Sequence, residues 1–376
     1  MRDADGRAAD QYERFGPLVL RRFVKDDGRA LLMYTRSADP DADPALSPSV
    51  SSVRSEEGDP DRSAQRRVAE GAATRQRRFN ELRDEQVLYA IQRQDRTFLP
   101  VESHCPLCPT RPGHPPTEIP FPAFEIAVFD NRFPSLERPD GGAEVVVYTD
   151  QHDGSFGRLA PERAEALMWV WRQRYEELGA RPDVEYVFIF ENRGVEVGTT
   201  LHHPHGQIYA YPFLPPVPAL ELAADRRLGG CAICRLLANE AQEGERVVQA
   251  NGGVVSYVPY AARWPYEVHV VLREHRRSLA SCTPDELAEL AGGLQAVTRG
   301  YDELFARPCP YVMALHQAPT DDRSDGHLHV EFYPPLRTAD KLKFAAGSEQ
   351  GAGTFIMDVM PEASALALRE AIAGAA

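Results

Sequence analysis

The sequence predicts an α+β fold built from two copies of one unit, each a mostly antiparallel sheet with a helix packed against it. The main observation is that two Cys-x-x-Cys pairs are each followed by a histidine at almost the same distance. Cys105 precedes His203 by 98 residues, and Cys231 precedes His327 by 96. In each half, short apolar runs typical of strands surround one long helical pattern. An internal duplication accounts for both observations.

The first elements of the chain precede the repeats. Residues 16–35 predict a short hairpin, because apolar runs flank the Asp27-Gly28 step, a common turn signal. Residues 37–75 contain almost no large apolar side chains, so they cannot bury enough surface to offset their ordering entropy. We therefore interpret residues 1–76 as an N-terminal hairpin followed by a disordered linker.

The two repeats are predicted to occupy residues 77–215 and 216–376. The helix of the first repeat should begin at Pro161, since proline suits the first turn of a helix. The helix of the second should begin at a capping box formed by Thr283 and Glu286. A strand is expected before and after each helix. The predicted strands are Glu144–Thr149, Val184–Phe190, Tyr266–Leu272 and Tyr311–Leu315.

Composition excludes several classes of protein. The chain of 376 residues carries a net charge of −14, with 56 acidic against 42 basic residues. That balance argues against a nucleic-acid-binding protein, which usually presents a basic face. No apolar run approaches the roughly 18 residues of a membrane helix, and the N-terminus lacks the apolar region of a signal peptide. We therefore expect a cytoplasmic protein without a membrane partner.

The cysteine pairs predict metal sites, because disulfides are rare in a reducing compartment. Two thiolates and two imidazoles make a suitable tetrahedral set for structural zinc. The first predicted zinc site consists of Cys105, Cys108, His152 and His203. A second predicted site consists of Cys231, Cys234, His275 and His327. The alternative for each pair is a set of cysteines packed in the core without a metal.

The motif His203-Pro-His205-Gly-Gln207 carries the functional prediction. In a strand, alternate side chains fall on one face, so the two histidines and the glutamine should point the same way. An imidazole is a competent nucleophile near neutral pH. A neutral amide can donate a hydrogen bond to a phosphate oxygen without supplying a proton for hydrolysis. The motif therefore predicts nucleotidyl transfer through a histidine intermediate; the alternative is a cluster of surface histidines.

Further motifs match a known family in order and spacing. They are Arg93-Gln-Asp-Arg96, Val128-Phe-Asp-Asn131-Arg-Phe133, Phe190-Glu-Asn192-Arg-Gly194, Gly198-Thr199-Thr200, Phe332-Tyr-Pro-Pro335 and Lys341-Leu-Lys343-Phe344. From about Arg77 to Asp358 the chain resembles the galactose-1-phosphate uridylyltransferases, duplicated members of the histidine-triad superfamily. The resemblance implies two histidine-triad-like units.

The resemblance also implies an activity. A UDP-glucose:hexose-1-phosphate uridylyltransferase, with galactose 1-phosphate as the expected acceptor, would form a uridylyl-histidine on His205 and react by a ping-pong scheme. Gln207 would hold a phosphate oxygen as charge develops. Two alternatives are a related nucleotide-sugar phosphorylase or adenylyltransferase, and a zinc-stabilised nucleotide-binding module without turnover. The His205 and Gln207 pair argues against the second.

Substrate-binding roles come from the same resemblance. The expected uridine pocket consists of Leu107, Asn131 and Phe133. The expected contacts to phosphate or to the catalytic loop are Asn192, Gly198, Thr199 and Thr200. The family's site is completed across a homodimer, and the residues matching its cationic contacts are Arg93, Arg96 and Lys343. Leu107 and Phe133 could instead be plain core, and the two arginines a solvated face.

One departure from the family concerns iron. Some members bind iron through a His-x-His pair, an upstream histidine and a glutamate. Here the pair reads His329-Val-Glu331, with His316 and Glu221 at the other two positions. The iron site is therefore doubtful. Iron here and zinc on His327 should exclude each other, because His327 and His329 are expected to share one strand face.

Overall fold

The structure is a computed structural model that describes residues 12–36, 75–96, 98–113, 115–321 and 325–375. The predicted disordered linker, residues 37–75, lies outside the described residues except for Arg75, which begins a separate hairpin.

One antiparallel sheet forms the centre of the molecule. Within the described part of the chain it has twelve strands. In spatial order they are β1 (Tyr12–Phe15), β2 (Leu18–Val24), β3 (Ala30–Thr35), β6 (Ile126–Asp130), β7 (Gly142–Val147), β9 (His205–Tyr211), β8 (Tyr186–Arg193), β13 (Tyr311–His316), β14 (His329–Tyr333), β12 (Val268–Leu272), β11 (Val254–Tyr257) and β10 (Val247–Asn251). Two hairpins lie apart from it, β4 (Arg75–Asn80) with β5 (Glu85–Ala90) and β15 (Leu336–Thr338) with β16 (Lys341–Leu342).

The strand order reveals the duplication. β8 and β13 pair at the centre, and matching strands follow on either side: β9, β7 and β6 on one, β14, β12 and β11 on the other. The sequence predicts a sheet for each half, and the β8–β13 pairing joins the two into one. Each half would otherwise leave an edge strand with unpaired backbone groups, which this pairing satisfies.

Two long helices cover the sheet and share one hydrophobic core with it. The helices are α1 (Pro161–Gly179), α2 (Pro216–Leu228), α3 (Ala232–Glu243), α4 (Pro284–Phe305) and α5 (Pro361–Gly374). Short helical turns occur at Ile91–Asp95, Glu102–His104, Phe156–Arg158, Val195–Val197, Leu279–Ser281 and Ser348–Ala352. α1 and α4 contact each other and bury their apolar faces on the same side of the sheet. The predicted capping box is present: the Glu286 N–H donates to Thr283 Oγ1 at 3.2 Å, and the Thr283 N–H donates to Glu286 Oε2 at 2.8 Å.

The predicted N-terminal hairpin is formed by β2 and β3, and it extends the sheet of the first half through pairing of β3 with β6. A buried ion pair supports the same region. Arg174 of α1 donates from Nη2 to Glu144 Oε1 at 2.7 Å and from Nε to Oε2 at 2.9 Å, so α1 is tied to β7. None of the described helices is both long and apolar enough to cross a membrane.

Candidate active site

The predicted nucleophile opens strand β9. His205 and Gln207 lie on one face of this strand, while Gly206 and Ile208 lie on the opposite face, which is covered by α1. His205 Nδ1 is 2.7 Å from the carbonyl oxygen of His203. Because a carbonyl only accepts, Nδ1 carries the proton and Nε2 keeps its lone pair. Burial lowers the pKa of His205, so its imidazole is neutral near pH 7.

His203 precedes the strand, but the pairing with β7 continues towards it, since the Tyr148 N–H donates to the Pro204 carbonyl at 3.1 Å. The His203 imidazole reaches Cys108, which packs in one cluster with Val145 and Val147, the β7 partners of Gln207 and His205, so His203 lies on the side of the sheet that carries them. The His203 Nε2–H donates to the Thr149 carbonyl at 2.7 Å, which leaves Nδ1 unprotonated and 3.5 Å from Cys108 Sγ. This is the tautomer that binds a metal.

The four predicted ligands of the first metal site come together. One donor atom from each of Cys105, Cys108, His152 and His203 lies within 4.8 Å of the others. Tetrahedral zinc, with Zn–S near 2.3 Å and Zn–N near 2.05 Å, requires a sulfur-to-nitrogen separation of about 3.5 Å. The Cys108 sulfur lies 3.4 Å from His152 Nδ1 and 3.5 Å from His203 Nδ1. Burial lowers the pKa of His203 to about 4, which keeps the ring in its neutral, metal-binding form. The set therefore fits a tetrahedral metal ion.

A small cavity of about 110 Å³ brings half of the predicted substrate-binding residues, including the whole expected uridine pocket, next to His205 and Gln207. The residues predicted from the sequence that line this cavity are Arg96, Leu107, Asn131, Phe133 and Thr200. Leu107 lines this cavity and also belongs to the hydrophobic core beneath it. The two alternatives for this residue, a pocket residue or a core residue, are therefore compatible. Sequence reasoning missed Arg132 and Glu118. Arg132 stands inside a recognised motif and could have been found there, whereas Glu118 belongs to no motif.

A larger cavity of about 450 Å³ reaches His205 from another side. Of the predicted residues, Asn192 and Thr199 line it. The Thr199 hydroxyl donates to the Asn192 carbonyl at 2.7 Å, so within this chain it braces the loop. Gly198 ends the preceding turn with φ +82°, a conformation that favours glycine, and lines neither cavity. Three cationic residues of this cavity were not predicted: Arg158, Arg193 and Arg307.

The three predicted cationic contacts are placed differently from one another. Arg93 donates to the Tyr209 hydroxyl at 3.1 Å. Arg96 lines the small cavity of its own chain. Lys343 is buried, donates to Glu349 Oε1 at 3.0 Å and to the Ile356 carbonyl at 2.6 Å, and lines neither of the two cavities at His205.

The second repeat assembles its own Cys and His set. Cys231, Cys234, His275 and His327 each offer a donor atom within 4.8 Å of the others. The sulfur of Cys234 lies 3.4 Å from Nδ1 of both histidines, and Cys231 Sγ lies 3.6 Å from His327 Nδ1. These separations again match about 3.5 Å for tetrahedral zinc. The second set therefore also fits a metal ion.

A third cluster in this repeat contains Glu221, His316 and His329. His329 Nδ1 lies 2.8 Å from the His327 carbonyl, which repeats the His205 geometry. The exclusion of a metal on His329 by zinc on His327 stays a prediction, although the two sets of donors share no residue. Glu331 is already occupied, because it accepts from Tyr333 and lies 3.2 Å from His269 Nε2. A metal there would compete with these contacts.

Comparison with known proteins agrees with this arrangement. The family model of the galactose-1-phosphate uridyl transferase N-terminal domain matches residues 130–215, and the model of the C-terminal domain matches residues 224–374. These matches and the duplicated sheet define the class, a uridylyltransferase enzyme. A galactose-1-phosphate uridylyltransferase of Thermotoga maritima is 38% identical over 317 residues, covering 78% of this chain and 97% of the relative. One from Streptomyces lividans is 39% identical over 293 residues, covering 74% and 81%. The chain belongs to the galactose-1-phosphate uridylyltransferase family.

Solved structures give the same assignment. A uridylyltransferase structure superimposes with a TM-score of 0.70 at 30% identity, covering 79% of this chain and 98% of that chain. An ADP-glucose phosphorylase from Arabidopsis thaliana superimposes with a TM-score of 0.60 at 21% identity, covering 79% and 99%, a likeness of fold alone.

Proposed function

We propose that this protein transfers a uridylyl group between UDP-glucose and a hexose 1-phosphate, with galactose 1-phosphate as the first candidate acceptor. The observation that carries the proposal is the position of His205. Its Nδ1 is bonded to the His203 carbonyl, and its side chain borders both cavities. An unprotonated Nε2 beside a space for a nucleotide is what an attacking imidazole requires.

The proposed reaction has two displacements. Nε2 of His205 forms a bond to the α-phosphorus of UDP-glucose, and the bond from that phosphorus to the glucose 1-phosphate oxygen breaks, its electron pair leaving with glucose 1-phosphate. An oxygen of the second hexose 1-phosphate then attacks the same phosphorus and releases His205. The Gln207 amide would donate to a non-bridging oxygen in both steps. Because an amide neither gives nor takes a proton here, it favours the sugar phosphate over activated water as acceptor.

The small cavity is the proposed nucleotide site. Leu107 and Phe133 supply apolar surface for the uracil ring, and Arg96 supplies charge for the phosphates. The Asn131 carboxamide accepts from the Phe133 N–H at 2.9 Å, which holds the two residues in register along the wall. Arg93 lies next to Arg96, because the Arg96 Nε–H donates to the Arg93 carbonyl oxygen at 3.1 Å.

Both Cys and His sets are proposed to hold zinc. The first ion would fix His203, and therefore the start of the strand that carries His205, while bound zinc itself supplies no step of the transfer. The second would tie the start of α3, next to Cys231, to the segment before β14. We do not assign iron to the third cluster. Because both sets need reduced thiols, a reducing, cytoplasmic location is part of the proposal.

A homodimer is the proposed active form. Support comes from strongly exposed apolar side chains in the segment 79–101 that contains Arg96: Phe79 is 52% exposed, Phe98 69% and Val101 66%. Such side chains are typical of an interface between subunits. Lys343 as a contact across that interface stays a prediction. We also propose the division into residues 1–76, 77–215 and 216–376, with the N-terminal hairpin added to the first repeat's sheet.

Labelling tests the proposed function directly. The protein is incubated with UDP-glucose radiolabelled at the α-phosphate, precipitated and counted; ADP-glucose labelled in the same way serves as the control. We expect label on the protein from UDP-glucose and its release as UDP-galactose when galactose 1-phosphate is added. Absence of label, label from ADP-glucose alone, or release by inorganic phosphate and not by any hexose 1-phosphate would refute the proposal.

A further inference from the structure

A buried tyrosine lies under the strand that carries the proposed nucleophile. Gly206 faces the α1 side of the sheet, between His205 and Gln207 in sequence, and the Tyr148 hydroxyl rests against it. A Cβ atom placed on Gly206 would collide with this hydroxyl and would lie 3.0 Å from the Phe190 carbonyl oxygen. The contact therefore sets how closely this point of β9 approaches the layer of side chains beneath it.

The hydroxyl is not explained by packing. Tyr148 is fully buried, and its ring lies edge-on to Phe156 and Trp171 with centroids 6.1 and 6.2 Å apart. A phenylalanine would make the same ring contacts. Among the described residues the Tyr148 hydroxyl makes no hydrogen bond of normal geometry, although the Glu191 carboxyl lies near enough to interact with it. Packing alone therefore does not account for the oxygen.

A carboxyl group that acts on the Tyr148 hydroxyl is that of Glu191, on the neighbouring strand β8. Because β8 and β9 are antiparallel and Phe190 pairs with Gln207, Glu191 lies opposite Gly206. Its side chain is on the same side of the sheet as Tyr148. One carboxyl oxygen accepts from the Tyr311 hydroxyl at 3.1 Å, and the other has no partner among the described residues. Burial raises the pKa of Glu191 to about 7, against the opposing effects of Arg193 and the two tyrosine hydroxyls. Glu191 also borders the larger cavity that contains His205.

We propose that Tyr148 is a positioning residue for His205 and Gln207, and that Glu191 holds the Tyr148 hydroxyl in place. The inference rests on the proposed function, since it assigns Tyr148 a part in that reaction. His205 and Gln207 directly precede and follow Gly206 in the strand. The distance of the Gly206 backbone from the Tyr148 layer therefore sets the direction in which both side chains point. A misplacement of about 1 Å at such a site can cost about 100-fold in rate.

The test measures the rate at which radiolabelled UDP-glucose labels the protein in a single turnover, together with the Kd for UDP and the thermal unfolding temperature. The variants are Tyr148→Phe, Gly206→Ala and the two combined. Tyr257→Phe is the matched control, because Tyr257 is also fully buried with an unpaired hydroxyl but lies on β11 of the second repeat. Glu191→Gln, which keeps the shape of the side chain, is a second variant in case Tyr148→Phe fails to fold.

Tyr148→Phe should slow labelling on the order of tenfold while the Kd for UDP changes less than about threefold, since the nucleotide cavity is untouched. Gly206→Ala should slow it about 100-fold, and adding Tyr148→Phe should recover part of that loss, because the colliding oxygen is gone. The Tyr257→Phe variant should be labelled at the rate of the unmodified protein. The Glu191→Gln variant should be labelled more slowly than the unmodified protein.

Two outcomes separate the positioning role from the function. If the unmodified protein is not labelled, the proposed function fails and the positioning role with it. If the unmodified protein is labelled but Tyr148→Phe keeps its rate, or the double variant is no faster than Gly206→Ala, only the positioning role is wrong. Where Tyr148→Phe does not fold, labelling by Glu191→Gln at the unmodified rate overturns the inference, and slowed labelling with unchanged Kd supports it.

Discussion

Replacing Cys231 with serine should lower the zinc content from two ions per chain to one. The substitution removes one thiolate of the second set, and a neutral hydroxyl is a far weaker zinc ligand than a thiolate. The other cysteine of the pair, Cys234, then has only His275 and His327 beside it. Three ligands do not complete a closed tetrahedral structural site.

The expected stoichiometry follows from the geometry of the donors. Zinc with two sulfur and two nitrogen ligands requires about 3.5 Å between a sulfur and a nitrogen. The separations that involve Cys108 in the first set are 3.4 and 3.5 Å, and those in the second set run from 3.4 to 3.6 Å. These separations agree between the two sets, so we expect both to be filled in the unmodified protein.

Elemental analysis of protein purified without chelator measures the count, and iodoacetamide alkylation under native conditions reports which thiols are protected. Cys105→Ser is the matched variant for the first set. Both variants should hold one ion, but only Cys105→Ser should lose uridylylation, because its set contains His203. No ligand of the second set lines either cavity at His205.

One zinc per chain in the unmodified protein, with Cys231 and Cys234 freely alkylated, would refute the reasoning. So would a Cys231→Ser variant that holds as many zinc ions as the unmodified protein. A third ion per chain that persists in this variant would instead locate a metal at the cluster of Glu221, His316 and His329.

The nucleophile, the buried ion pair and the acid stability can each be tested separately. His205→Gly should abolish covalent labelling without unfolding the protein; residual exchange of label between UDP-glucose and glucose 1-phosphate would contradict this. Glu144→Gln should lower the unfolding free energy by about 1–3 kcal/mol in urea titrations, because buried Arg174 loses its two charged hydrogen bonds to Glu144 and keeps its ion pair with Glu177; a change under about 1 kcal/mol would contradict it. Burial acts to raise the pKa of Glu177, but Arg22 and Arg174 lower it from 4.5 to about 2. The stability from its ionised form is therefore complete above pH 4.5 and lost as the pH falls towards 2, so Glu177→Gln should flatten acid unfolding in that window. An unchanged acid profile would show that Glu177 does not contribute.

Much of the site could be predicted from local sequence. The helix starting at Pro161, the capping box at Thr283 and the hairpin around Asp27-Gly28 each depend on residues close together in the chain. The two sets of cysteine and histidine residues can be predicted because the duplication repeats their spacing. The small cavity gathers most of the residues expected in it, since short motifs on adjacent strands are brought together by the sheet.

Other features depended on contacts between distant residues. Lys343 matches a phosphate contact by motif, yet in this chain it binds Glu349, because burial of an ammonium group requires a partner nearby. Arg96 lines the cavity of its own chain, whereas the motif alone suggested a neighbour's nucleotide.

The sequence by itself determined the residue types of the chemistry, the duplication and the α+β class, because motifs, spacing and apolar periodicity are local properties. Tertiary structure alone decided that the halves share one sheet, that His203 meets Cys108 while His205 borders the two cavities, and that Tyr148 lies against Gly206. The reason is that these features depend on which strands pair and on which side chains meet across the sheet. No local pattern around Gly206 records either.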